Sequence, residues 1–150
     1  MRRFLTFQAT MALIAVGCAN DGTLGVRDDA FRVDRTVEAG QIFTIEVGEV
    51  VLVDGTHVIV FFEGVLEDSR CPTGVECPWE GNAAVRFEVS LDNAELAPQP
   101  IVLNTALEPR QTDKFGVTIR LEGLDPYPAD SEPTIDPASY VAELAVSPTE

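Results

Sequence analysis

Val50 to Phe62 reads "VVLVDGTHVIVFF". Two runs rich in β-branched residues flank Asp54-Gly55, a pair able to supply the two positive φ angles of a type I′ turn. The stretch predicts a β-hairpin. Its second arm, Thr56 to Phe62, is apolar on both faces, which suits a strand in the middle of a sheet.

Period-two alternation extends this reading along the chain. In "AAVRFEVSL", Val85, Phe87, Val89 and Leu91 share one face, while Arg86, Glu88 and Ser90 share the other. "KFGVTIRLEG" puts Phe115, Val117, Ile119 and Leu121 inward, and "YVAELAV" does the same with Tyr140, Ala142, Leu144 and Val146. Further strands are expected at Phe31 to Val37, Ile42 to Val47 and Ile101 to Asn104. No segment carries a 3.6-residue period. About eight short strands with turns between them predict an all-β fold, an antiparallel sandwich of immunoglobulin-like type, with a small β-barrel as the alternative.

The N-terminus has a different character. "MRRFLTFQATMALIAVGCAN" opens with Arg2 and Arg3, continues through a mostly apolar run from Phe4 to Val16, and places small residues before Cys18. That is the layout of an export signal. A membrane span needs about 20 apolar residues, and this run is shorter and broken by Gln8 and Thr10. "AVGC" resembles the lipobox of bacterial lipoproteins, which implies cleavage after residue 17 and lipidation of Cys18. Ala15 stands where leucine is usual, and cleavage by an ordinary signal peptidase is the alternative. The protein is thus expected to be exported and held at a membrane of the cell envelope through lipid on Cys18. Ala19, rather than an aspartate, leans towards the outer membrane in a cell that has one. Residues 18–30 have the polar, glycine-containing composition of a tether, and 31–150 suit one domain.

Charge limits the partners. The chain carries 10 basic and 25 acidic residues, a net charge of −15. Removing Arg2 and Arg3 with the signal leaves 8 basic side chains and a net charge near −17. Such a body repels phosphate backbones, so nucleic acid is not an expected partner, nor is a polybasic grip on anionic lipid. An envelope protein, a basic one among others, remains open, and so does the oligomeric state.

The chemistry-bearing stretch is "EDSRCPTGVECPWEGNA", Glu67 to Ala83. In an exported protein the compartment is oxidising, and lipid on Cys18 leaves Cys71 and Cys77 to pair. Pro72 and Gly74 let the chain fold back between them. A disulfide closing so short a loop contributes roughly 2 kcal/mol in the chain-entropy model. The competing readings are a redox dithiol, although active pairs are usually C-x-x-C, and a zinc clip, although His57 is the only histidine to join the two cysteines. Arg70 is expected on the outside, paired with a carboxylate such as Asp68. Arg70 and Trp79 are the candidate binding residues, since both types are enriched in binding hot spots. The competing expectation for Trp79, and the favoured one, is that it closes one end of the core beneath the loop.

Asp68, Ser69, Arg70, Cys71, Pro72, Cys77, Trp79 and Gly81, with Pro126, Tyr127 and Pro128 further on, resemble a largely uncharacterised family of small bacterial lipoproteins with a D-S-R-C-P…C-x-W-x-G motif and a later P-Y-P. The resemblance spans most of the chain after the signal. It implies export, lipidation and an all-β body, and little about activity.

No catalytic residues are assigned and no cofactor is called for. Ser69, His57 and an aspartate could be drawn as a triad, but no nucleophile-elbow sequence supports it. "LDPYPADSEPTIDP" offers Asp125, Asp130, Glu132 and Asp136 as oxygen ligands for calcium, without EF-hand spacing. The expectation is a non-catalytic envelope protein, a binding or structural module. A protease-inhibitor-like loop anchored by Arg70 and a calcium-binding module are the alternatives, with a hydrolase behind them.

Overall fold

The central hairpin forms, and it is longer than the alternation indicated. In the computed structural model, which describes residues 32–93, 96–129 and 134–149, β3 (Val50–Asp54) pairs antiparallel with β4 (Val58–Asp68) from Val50↔Phe61 to Val53↔Val58. The turn is not the two-residue one expected. The Thr56 amide donates to the Val53 carbonyl at 3.3 Å, and the positive φ angles fall on Gly55 (74°) and His57 (60°). Positive φ at the third turn residue is the type II requirement; His57 then takes up the extra residue before β4 begins.

The other strands are β1 (Arg35–Glu38), β2 (Ile42–Glu46), β5 (Ala83–Leu91), β6 (Gln99–Asn104), β7 (Gln111–Lys114), β8 (Val117–Asp125) and β9 (Val141–Pro148). They form two sheets, ordered β1-β3-β4-β5-β6 and β2-β9-β8-β7. All neighbours are antiparallel except β1 and β3. The architecture is a β-sandwich and not a closed barrel. β3 to β6 follow one another as a four-strand meander in the first sheet and β7 to β9 as a three-strand one in the second.

Both inner faces meet in one core. Val53, Val60, Phe62, Val85, Phe87 and Leu103 come from the first sheet, and Ile45, Ile119, Leu121 and Leu144 from the second. Phe62 and Phe87 pack with ring centroids 5.0 Å apart. At the end of β5, Leu91 is only half-buried against the core, and Ser90, expected outward, is buried. Val85, Phe87 and Val89 of β5 and Tyr140, Ala142, Leu144 and Val146 are buried as read. Burying each such side chain stabilises the fold by about 1.5–3 kcal/mol.

Several elements differ from expectation; the start of the first strand, the place of Phe115 and the strand β7 have local reasons. The first strand starts at Arg35 because the Asp34 carboxylate, rather than a backbone carbonyl, takes the Val50 amide at 2.9 Å. Phe115 packs against the core but lies in the β7–β8 turn with φ 53°. β7 was not foreseen because "QTDK" has no apolar face to betray it.

β4 positions the site. It runs eleven residues and carries irregularities between Phe62 and Gly64 and between Val65 and Glu67. Such bulges bend a strand and increase its twist. The far end of the β4–β5 hairpin carries the segment from Asp68 to Asn82 at its tip. Residues 1–30, with the expected signal, Cys18 and the tether, lie outside the described residues.

Candidate functional site

The loop base is built around Asp68. Arg70 grips it with Nε to Oδ1 at 2.9 Å and Nη2 to Oδ2 at 2.6 Å, and the Arg70 amide donates to Oδ1 at 3.1 Å. The Tyr140 hydroxyl donates to Oδ2 at 2.9 Å. The rest of the guanidinium bonds the second sheet, Nη1 to the Leu124 carbonyl at 2.5 Å and Nη2 to the Pro126 carbonyl at 2.9 Å. It also lies 4.9 Å from the centre of the Tyr127 ring. A planar fork can satisfy several acceptors at once in this way, which lysine cannot. The ends of β4, β8 and β9 are thus joined through one ion pair.

Burial gives this pair its energetic weight. The Arg70 side chain is 5% exposed and that of Asp68 10%. Burial opposes ionisation of Asp68. The hydrogen bonds from the Arg70 side chain and amide and from Tyr140, with the Arg70 charge, outweigh it and hold the carboxyl below the usual carboxylate range. Burial, followed by the hydrogen bond to the Asp68 carboxylate, raises the pKa of Tyr140.

Arg70 is therefore not outside. The expected partner, Asp68, is correct, but the guanidinium is turned inward and fully engaged. Asp68 closes β4, and Arg70 follows two residues on, where the Asp68 carboxylate accepts from its backbone amide as well as from its guanidinium and the Leu124 and Pro126 carbonyls take the remaining donors. An inhibitor-like loop anchored by an exposed Arg70 does not fit this geometry.

Cys71 and Cys77 are joined as a disulfide, with Cα atoms 6.0 Å apart. The legs of the loop continue the hairpin through Ser69 N to Asn82 O at 2.7 Å and Cys71 N to Glu80 O at 2.8 Å. Gly81 is required there. Its φ is 76°, and a Cβ would fall 1.9 Å from the Ser69 carbonyl oxygen. Thr73 donates its amide to the Pro128 carbonyl at 2.9 Å. The D-S-R-C-P stretch and the P-Y-P stretch, far apart in sequence, therefore meet.

Trp79 overturns the favoured expectation. It is 73% exposed. The end of the core that the indole was expected to close is filled instead by Arg70, Tyr140 and Leu124, all buried. Leu107, 61% exposed, borders the same cleft of about 420 Å³ as Trp79, Glu80 and Ala106. The turn carrying Leu107 is fixed by Asn82, whose Oδ1 accepts from the Ala106 and Leu107 amides at 3.1 and 3.2 Å. A second cleft of about 410 Å³ adjoins it, lined by Glu80, Ala106, Asp125 and Tyr127 among others. Neither Leu107 nor Asn82 was singled out from the sequence; nothing in "TALEP" announces a surface apolar residue held in place.

The remaining candidates are dispersed. Ser69 Oγ donates to the Asn82 carbonyl at 2.9 Å at one end of β4, whereas His57 precedes its other end and pairs with Asp92 at 3.1 Å. A strand of that length separates them by on the order of 30 Å, so the triad does not assemble. Asp136 caps the short helical turn Pro137–Ser139 by accepting from the Ala138 amide. Asp125 lies at the end of β8, and Asp130 and Glu132 are outside the described residues. Among the described residues no group of three or more His, Cys, Asp or Glu side chains is placed to hold a metal.

No protein-family model, curated protein or solved structure matches this chain.

Proposed function

We propose that the protein is an exported, lipid-anchored binding module of the cell envelope, and that it engages its partner through the stapled end of the sandwich. The observation that carries this reading is Trp79, mostly exposed on a loop fixed by a disulfide, backbone hydrogen bonds and the buried Arg70–Asp68 pair. Exposing a large indole carries a hydration cost, and a contact residue gives that exposure a use. Tryptophan is among the residue types that most often dominate interfaces. Fixing the loop beforehand lowers the ordering cost on binding. Lipid on Cys18, followed by a polar tether, would hold this surface close to the membrane while leaving it free to meet other envelope proteins.

The test is photo-crosslinking in cells, with full-length protein carrying a photoreactive residue at position 79 or, as a control, at exposed position 54. Discrete adducts from position 79 alone support the reading. Absence of adducts, or the same adducts from both positions, overturns it. Anchoring is read separately: labelled fatty acid should enter the wild type and not Cys18→Ser.

A further inference from the structure

We infer that the occupant of this surface is an extended protein segment presenting a basic side chain, arginine or lysine, beside an apolar one. The inference rests on the binding-module reading and adds the chemistry of the partner.

The two clefts share Glu80, Gly81 and Ala106, so they adjoin along that border and differ on either side of it. Trp79 and Leu107 line only the first cleft and make it the more apolar half; Asp125 and Tyr127 line only the second, and Glu80, at the border of both, gives that half a pair of carboxylates. Among the described residues the only basic side chain lining either half is Arg70, and Asp68 neutralises it through two hydrogen bonds within the wall. Among the described residues, Glu80 and Asp125 have no ion-pair partner. Two exposed carboxylates alone would indicate only a solvated rim. Here they flank an exposed tyrosine and adjoin an apolar cleft held in shape by the Asn82 carboxamide.

An arginine or lysine placed in the acidic half meets carboxylates with which it can pair, beside the Tyr127 ring, which already holds the Arg70 guanidinium 4.9 Å from its centre. An acidic segment would meet uncompensated repulsion on a chain of net charge −15. The apolar half suits a neighbouring leucine or aromatic side chain, whose burial beside Trp79 and Leu107 supplies the non-polar part of the affinity. A second copy of this chain is a poor occupant, because it would present another strongly acidic surface.

The chain has one tryptophan, so the intrinsic emission of the full-length protein in detergent reports on this surface. The probes are the capped peptides acetyl-Leu-Arg-Leu-Arg-Leu-amide and its Glu-for-Arg counterpart. The Arg peptide should shift Trp79 emission to the blue saturably, and binding should weaken as salt is raised. Glu80→Gln with Asp125→Asn should weaken it about tenfold, the scale of two partly exposed ion pairs. Asp54→Asn with Asp92→Asn removes the same formal charge at the other end of β4 and should change affinity by less than about twofold. Equal binding of the Glu peptide, equal loss in the two double variants, or no saturable shift overturns the basic occupant. So does a position-79 crosslink to a second copy of this chain. Heteromeric crosslinks combined with any of the peptide failures would leave the binding module standing without this partner chemistry.

Discussion

Arg70 and Tyr140 meet on a single carboxylate, that of Asp68, with Arg70 Nη2 at 2.6 Å and Tyr140 Oη at 2.9 Å from the same Oδ2. Removing either charged member leaves the other buried and uncompensated. Arg70→Ala and Asp68→Asn should therefore each cost about 3–5 kcal/mol in denaturant unfolding. Tyr140→Phe, which deletes one hydrogen bond to a charged group, should cost about 1.5–3 kcal/mol. The double variant Asp68→Ala/Arg70→Ala should be far less destabilised than the sum of its singles. Additive losses would mean that the pair does not act as a unit.

The pH dependence follows from the same carboxylate. Its folded pKa lies below the ordinary value. Its stabilisation is therefore complete above the unfolded pKa and is lost as pH falls through the folded one. The difference in unfolding free energy between wild type and Asp68→Asn should be wide at neutral pH and close at the acid end. A gap that stays constant into strong acid would contradict this. Tyr140 has the opposite sign. Its raised pKa contributes stability below the unfolded tyrosine value and loses it as pH rises through the folded one. Tyr140→Phe should flatten the alkaline limb.

Trp79 separates stability from recognition. Because it is exposed, Trp79→Ala should leave Tm nearly unchanged, within about 0.5 kcal/mol, while abolishing capture of a partner. Native emission should already lie near the solvent-exposed wavelength and move little on unfolding. A strongly blue-shifted native emission would place the indole in the core after all.

The staple gives a thiol test. Cys71 and Cys77 should resist alkylation until reduced, and either Cys→Ala change should cost roughly 2 kcal/mol, with the double change no worse. Free labelling of both in protein taken from its own compartment would refute the bond.

Gly81→Ala should disturb the loop rather than the sandwich, because a Cβ there meets the Ser69 carbonyl oxygen at 1.9 Å. Thermal unfolding should show a body still folded, with peptide binding lost. Unchanged binding would show that the backbone yields at no functional cost.

Much of the fold was legible because it rests on local rules. A half-buried strand must alternate, so Val85, Phe87 and Val89, and Ala142, Leu144 and Val146, declared their faces before any pairing was known. The two-sided apolar run after Gly55 declared a central strand. Two cysteines six apart with a proline and glycine between them, in a chain read as exported, favoured a disulfide over a redox dithiol or a zinc clip, and the bond is formed. What was not legible depended on neighbours distant in sequence. β7 has no apolar face and exists because β8 offers it a ladder. The bulges in β4 interrupt its alternation before Asp68, so the pattern gives no sign of the inward pair that Asp68 and Arg70 make.

By itself, then, the sequence determined the class of fold and the central hairpin and favoured the staple, since burial patterning and chain proximity act over a few residues. The tertiary structure decided which large side chain closed the end of the core. Arg70 can fill that place only because the Leu124 and Pro126 carbonyls and the Tyr140 hydroxyl arrive from the other sheet to satisfy its guanidinium and its carboxylate partner. Without those acceptors a buried arginine is prohibitively costly, and the indole is the better guess. With them, Arg70 goes in and Trp79 is left outside.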